Sequence, residues 1–333
     1  MNQILGLTGL VVTFVVGGCS SPGQKASQER PGIKIEKQTY HGWRDALRIS
    51  NGKAFAIVVP SIGRIMQYGF EGTEGVFWEN SFLLGQGFDA KTNEWINFGG
   101  DKTWPAPEGE WGKYTHNKSW KPPTGFDGVP CTAIVEGDEI VMESAVDPSY
   151  GIKARRRIHM DLNQPVLSVT TTYICQRGGP SLVGIWVITQ LKDPERIIVP
   201  LPSERQRRNF FEPLSGKIPA GLKEVDGFLS MRRDKADFAK LGTEASSLLW
   251  VGSREMLRID SRRLSGFEYP DKGSSAEIYT NPDPLKYIEL EMLGPLQTLQ
   301  PGNHIERTSV YTLIPRTQAS PEAEAGKVYK NGP

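Results

Sequence analysis

The amino-acid sequence predicts an all-β protein built as a large antiparallel sandwich or barrel, and three observations carry that expectation. Apolar and polar side chains alternate with period two in a dozen short segments, the pattern of half-buried strands. Turns rich in Gly, Asn and Pro separate those segments. No apolar stripe of helical period survives a long window.

In chain order, the first strands fall at residues 33–36, 46–49 and, more loosely, 54–59. The middle of the chain continues at 139–144, 152–160, 166–174 and 182–191. Late strands follow at 248–252, 256–260, 276–280, 287–293 and 305–313. The punctuation is Asn51-Gly52, Glu136-Gly137-Asp138, Gly178-Gly179-Pro180, Asn281-Pro282-Asp283 and Pro301-Gly302-Asn303. Two long stretches break the rhythm. Residues 93–128, crowded with Trp, Gly, Pro and Lys, read as a folded, surface-packed insert, and residues 200–227 as a loop with a short helix.

The 333 residues carry 39 basic and 38 acidic side chains, a net charge of +1, so no global field draws the chain to nucleic acid or to a membrane surface. The basic runs Arg155-Arg156-Arg157 and 205–208 read as solvated strand edge and loop. No fixed-period repeat is visible. The eight Trp and the apolar fraction suffice for a large core, and residues 34–316 are expected to form one domain.

The N-terminus is of another kind. Residues 4–16 form an apolar run ending in Gly17-Gly18-Cys19-Ser20, too short for a lasting membrane span and suited to a cleaved signal over residues 1–18. The boundary looks like a bacterial lipobox, in which the Cys19 thiol is lipidated and becomes the mature N-terminus. Ser20 after the Cys points toward the outer membrane. Residues 19–33 read as a flexible tether and 317–333 as a disordered tail. Cys131 and Cys175 remain, and two buried free thiols are the preferred reading over a disulfide, because small disulfide-stapled domains carry many more Cys. No Cys/His spacing suggests zinc, and neither a metal nor a cofactor is expected.

Residues 166–173, a turn, and then the strand at 182–189 resemble the central strand pair of galactose mutarotase-like proteins, which include aldose 1-epimerases. Residues 287–295 followed by Leu299-Gln300-Pro301-Gly302 look like that family's closing pair. The run Asn97-Phe98-Gly99-Gly100-Asp101-Lys102-Thr103-Trp104-Pro105-Ala106-Pro107 resembles an uncharacterised bacterial branch. The resemblance covers roughly residues 34–315. It implies a twisted antiparallel β-supersandwich with a sugar-sized cleft on one concave face.

Opening a sugar ring at its anomeric carbon needs an acid at the ring oxygen and a base at the anomeric hydroxyl. Glu289 and Glu291, two apart on one strand, share a face, either the cleft or solvent; the resemblance implies that one of them is the base. No His lies between Tyr173 and Leu191, where the family places its acid; Ile185 and Trp186 stand there instead. Of His41, His116, His159 and His304, only His116 falls in the aromatic insert, which makes it the candidate substitute. Within the insert, aromatic faces suit the C–H faces of sugars while polar side chains suit the hydroxyl rim. The candidate ligand residues are Asn97, Asp101, Lys102, Trp104, Glu108, Trp111 and, from the neighbouring strand, Trp186. Trp95, Trp120 and Tyr114 add further faces, and Gly99-Gly100 lets backbone approach a ligand or turn tightly. The same residues could instead cap one end of the sandwich.

Three functions fit: an envelope lipoprotein that binds carbohydrate without ordinary epimerase activity, a sugar-active enzyme with a relocated acid, and a non-catalytic envelope structural protein. The missing His favours the first and third, and the clustered Trp favours the first over the third. Fold alone does not choose among them.

Overall fold

The computed structural model describes residues 32–89, 91, 94–115, 120–202, 210–219, 221–318 and 320–330. The expected signal, the tether as far as residue 31, Cys19, His116, the basic run at 205–208 and residues 331–333 lie outside the described residues.

The strands in chain order begin with β1 (Lys34–Tyr40), β2 (Trp43–Ser50), β3 (Ala54–Val59), β4 (Arg64–Phe70), β5 (Asp101–Ala106), β6 (Thr132–Glu136) and β7 (Glu139–Glu143). Next come β8 (Ile152–Met160), β9 (Val166–Cys175), β10 (Ser181–Lys192), β11 (Arg196–Pro200), β12 (Phe211–Pro213), β13 (Lys223–Val225) and β14 (Phe228–Met231). The last are β15 (Ala239–Thr243), β16 (Ser247–Val251), β17 (Glu255–Asp260), β18 (Ala276–Thr280), β19 (Tyr287–Leu293), β20 (Gln297–Leu299) and β21 (His304–Pro315).

They pair into two antiparallel sheets. The first runs β1-β2-β3-β4-β5-β10-β19-β18-β15-β12, with β20 also on β10. The second runs β13-β14-β11-β16-β17-β21-β9-β8-β7-β6. The inner faces meet in one apolar core, where Ile278, Leu290 and Met292 of the first sheet pack with Val169, Leu257 and Leu313 of the second. The all-β sandwich expected from the alternation is therefore the architecture found.

The two irregular stretches differ from expectation. The insert at 93–128 contains β5, a central strand of the first sheet rather than a surface feature. Its sequence, Asp-Lys-Thr-Trp-Pro-Ala, hides the alternation because both faces are buried and polar side chains occupy each of them. After it come two short helices, α1 (Trp111–Thr115) and α2 (Thr124–Asp127). The described part of 200–227 carries the short strands β12 and β13.

The tail also differs. Residues Pro321–Lys330 form a helix whose Ala325, Val328 and Tyr329 recur at helical spacing and pack on Ile198, Phe228, Leu249, Val251 and Met256 of the second sheet. Glu322 and Glu324 sit in its first turn and Lys327 and Lys330 in its last, complementing the helix dipole. A composition rich in Pro, Glu and Ala concealed that apolar stripe.

The triple-Arg run is not an edge. On β8, Arg155 and Arg157 point to one side and pair with Glu143, Glu136 and Glu139. Arg156 points to the other side, into the space between the sheets, and pairs with Asp101. Cys131 and Cys175 are both free thiols; Cys175 is buried as expected, whereas Cys131 is only half-buried.

Candidate functional site

β5, β10, β19, β18 and β15 lie side by side, and alternation sorts their residues between two faces. Thr189, Ile288, Leu290, Ile278 and Leu241 point inward among buried neighbours. Lys102, Trp104, Trp186, Gln190, Glu289, Glu291, Glu277, Tyr279, Tyr287 and Lys240 share the outer face, as their mutual contacts show. The register sets Gln190 and Tyr279 opposite Glu289, and Ile188 and Glu277 opposite Glu291.

Two charged groups form on that face. In the first, Lys102 Nζ lies 3.6 Å from Glu289 Oε1, which accepts a 2.8 Å hydrogen bond from Gln190 Nε2. Lys102 is only 1 % exposed, and its ammonium makes no hydrogen bond among the described residues. It sits over the rings of Trp104 and Trp95, 4.7 and 5.7 Å from their centroids. Burial holds the Lys102 ammonium below its ordinary pKa, against the pull of Glu289, and burial raises the pKa of Glu289.

In the second group, Lys240 Nζ stands 2.8 Å from Glu277 and 3.4 Å from Glu291, and 4.6 Å from the centroid of Trp186. Trp186 Nε1 donates to Glu291 Oε2 at 2.7 Å. Burial drives the pKa of Glu277 well above the usual carboxylate range, opposed by Lys240 and reinforced by Glu291. Burial works against the charge on Lys240, yet Glu291 and Glu277 outweigh it and raise its pKa.

The tryptophans pack edge to face, Trp104 lying 5.4 to 5.7 Å from Trp95, Trp111 and Trp186. One carboxylate organises them. Asp127 Oδ2 accepts from the indoles of Trp95 and Trp104 at 2.9 and 2.8 Å, and Oδ1 accepts from Arg64 at 2.7 Å. A cavity of about 400 Å³ adjoins this corner, lined by Phe88, Glu94, Trp95, Lys121, Thr124 and Asp127 among others, a volume within the usual range for small ligands.

Of the residues expected from the sequence, Glu289, Glu291, Lys102, Trp104 and Trp186 come together on this face. Asn97 adjoins it, its Nδ2 lying 3.4 Å from the Tyr287 hydroxyl. Glu108 is exposed on a short 3-10 turn (Glu108–Glu110). Trp111, 1 % exposed, donates to the Pro105 carbonyl at 2.6 Å and is a packing residue rather than a ligand face.

Asp101 is the clear correction. It points between the sheets, where it accepts from Arg156, from Thr189 Oγ1 at 2.7 Å and from the Tyr311 hydroxyl at 2.6 Å. A strand alternates, so Asp101 and Lys102 cannot serve the same face. Gly99 and Gly100, with φ of 95° and 71°, let the chain pass close to its neighbours rather than to a ligand. A Cβ on either would lie 2.3 Å from the Trp78 carbonyl oxygen or 2.6 Å from that of Ile65.

Sequence reasoning missed Gln190, Lys240, Glu277, Tyr279 and Tyr287. Glu277 and Tyr279 alternate with the apolar Ala276 and Ile278 just as Glu289 and Glu291 alternate with their neighbours, so period two puts the two on one face of their strand, and the pairing with β19 brings that face to the site.

No family model matches the chain, and no curated protein does. Solved structures do. A candidate aldose 1-epimerase from Klebsiella pneumoniae superposes with a TM-score of 0.56 at 12% identity, over 90% of this chain and 86% of its own. A galactose mutarotase-like protein from Clostridium acetobutylicum gives 0.55 at 10% identity, over 85% and 99%. A candidate aldose 1-epimerase from Escherichia coli K12 gives 0.54 at 12%, over 86% and 100%. The molecule is thus an all-β protein with a two-sheet, antiparallel architecture. Its fold is the galactose mutarotase-like β-sandwich, as the sequence resemblance implied.

Proposed function

We propose that the chain is a lipid-anchored envelope protein whose outer sheet face binds carbohydrate without ordinary aldose 1-epimerase activity. One observation carries the binding half of this reading: Lys102 Nζ, buried against two indole rings and 3.6 Å from Glu289, has no hydrogen-bond partner among the described residues. Leaving such a group unsatisfied costs on the order of 1–3 kcal/mol, and a sugar hydroxyl arriving at this spot relieves it. Aromatic faces beside carboxylates and an ammonium suit a pyranose, which is apolar on its C–H face and polar at its rim.

The test is a panel of mono- and oligosaccharides followed by tryptophan fluorescence. Saturable changes in the wild-type protein, weakened in Trp95→Ala and in Lys102→Met, are expected. Equal titrations for all three proteins would mean that the tryptophan cluster is a structural cap.

A second reading, sugar chemistry with a relocated acid, has one observation behind it. Burial favours the protonated form of Glu277, which stands opposite Glu291, so that a donor and an acceptor carboxyl share one face.

A further inference from the structure

We propose that the outer face of the first sheet takes an oligosaccharide, laid along a row of aromatic rings that leads to Glu289. The proposal rests on the carbohydrate reading above and extends it from a single sugar to a chain of them.

The row starts at Phe238, immediately before β15, and continues through Tyr279 on β18 and Tyr287 on β19 to Trp78. Centroids are 6.4 Å apart from Phe238 to Tyr279, 6.2 Å from Tyr279 to Tyr287 and 4.5 Å from Tyr287 to Trp78. Interplanar angles stay between 27° and 37°. The tryptophans around Trp104 meet it instead at 76° to 85°, edge against face, as in a packed core. Rings inclined alike and in mutual contact form a continuous aromatic strip, of which Phe238, Tyr279 and Trp78 keep exposed surface. Phe238 is 48% exposed, Tyr279 and Trp78 are half-buried, and Tyr287 is buried against Trp78. Phe238, with Lys217 Nζ 5.5 Å from its centroid, adjoins the partly exposed Tyr279, and Trp78 lies beyond the buried Tyr287, so the exposed rings form a strip rather than a single exposed side chain.

A second, independent observation points to a hydroxylated ligand. Three polar atoms beside this row have no hydrogen-bond partner among the described residues: Asn97 Oδ1, Gln190 Oε1 and Lys102 Nζ. Gln190 is fully buried and Lys102 nearly so. Asn97 reaches the Tyr287 hydroxyl, while Gln190 and Lys102 flank Glu289, which is opposite Tyr279. Two are acceptors and one is a donor. A hydroxyl group is both, so sugar hydroxyls satisfy all three, whereas a purely anionic ligand satisfies only the lysine. Glu277, Glu289 and Glu291 on the same face disfavour phosphate, which argues against a nucleic acid strand stacking on the rings.

Calorimetry with malto-, cello-, manno- and xylo-oligosaccharides of one to six residues tests this on the whole chain. For the series that binds, affinity should climb with length beyond the monosaccharide. Phe238→Ala and Tyr279→Ala should each weaken the hexasaccharide roughly 2- to 10-fold, a loss that shrinks as the ligand shortens. Lys102→Met should weaken all lengths alike. Unfolding midpoints of the two ring variants, measured alongside, separate loss of a contact from loss of the fold. Affinity independent of length, or ring variants that bind the hexasaccharide like wild type, would overturn the aromatic row and leave the single-sugar site standing. Failure of the wild-type protein to bind any member of the four series would overturn both.

Discussion

Glu277 and Glu291 face each other across β18 and β19, and a single ammonium group, Lys240 Nζ, holds both at 2.8 and 3.4 Å. Like charges directly opposite in a sheet destabilise it, and one cation leaves the pair short by one charge. Burial resolves the conflict by favouring the neutral form of Glu277. Because the folded-state pKa of Glu277 is raised above its unfolded value near 4.5, the stability it contributes is complete in acid. It is lost as pH climbs from there through the folded value. Glu277→Gln should therefore leave the unfolding midpoint at pH 4 unchanged. At pH 8 it should raise the midpoint by roughly 2–4 °C for each kcal/mol relieved. Thermal denaturation at the two pH values checks this, and a variant that is less stable at pH 8 would contradict it.

Asp101→Asn should destabilise the protein by about 3–5 kcal/mol, because it leaves the Arg156 guanidinium buried without its counter-charge. Adding Arg156→Met should recover much of that loss. Urea denaturation of the single and double variants measures both. The effect is one of stability and not of ligand affinity, since Asp101 does not reach the outer face.

Lys102→Met should do the opposite. Burial depresses the pKa of Lys102, so its charged form penalises the fold at every pH below the unfolded lysine value. Replacing it with an apolar side chain of similar length should add on the order of 1 kcal/mol of stability while weakening saccharide binding. Differential scanning calorimetry and fluorescence titration on the same preparation read the two effects, and a destabilised variant would count against the orphaned-ammonium argument.

Ordinary mutarotation should be absent. Trp186 Nε1 occupies Glu291 and donates only an indole proton, which it cannot transfer at neutral pH. A missing general acid typically lowers a rate by about 10²- to 10⁴-fold. Polarimetry on freshly dissolved α-glucose and α-galactose decides the matter. Acceleration lost in Glu277→Gln and in Glu291→Gln would favour the second reading, with Glu277 as the relocated acid.

Lipidation at Cys19 predicts partitioning of the full-length protein into the detergent phase, and of Cys19→Ala into the aqueous phase. Equal partitioning of the two proteins would dispose of the anchor.

The fold was legible wherever one face of a strand meets solvent, because alternation then survives in the sequence: β8, β9 and β21 read cleanly. β5 was not legible, since a strand with polar side chains buried on both faces shows no alternation of hydrophobicity. The site was half legible. Glu289, Glu291, Lys102 and Trp104 carry chemistry that attracts notice, but Lys240 and Glu277 are brought to them by pairings between β15, β18 and β19 that no local pattern announces. Asp101 was misplaced for the same reason. Its chemistry suggested a ligand, and only its parity on the strand assigned it to the interior.

That parity has a consequence for how this protein can change. Asp101 and Thr103 fasten β5 to the second sheet through Arg156, Tyr311 and Tyr173, whereas Lys102 and Trp104, between and beside them, face outward. Selection for a new ligand can therefore rewrite Lys102 while Asp101 and Thr103 keep the sheets joined and Trp104 holds Asp127 in the tryptophan cluster. In a library randomised over 101–104, survivors with altered specificity should vary at 102 and retain their parents' residues at 101, 103 and 104.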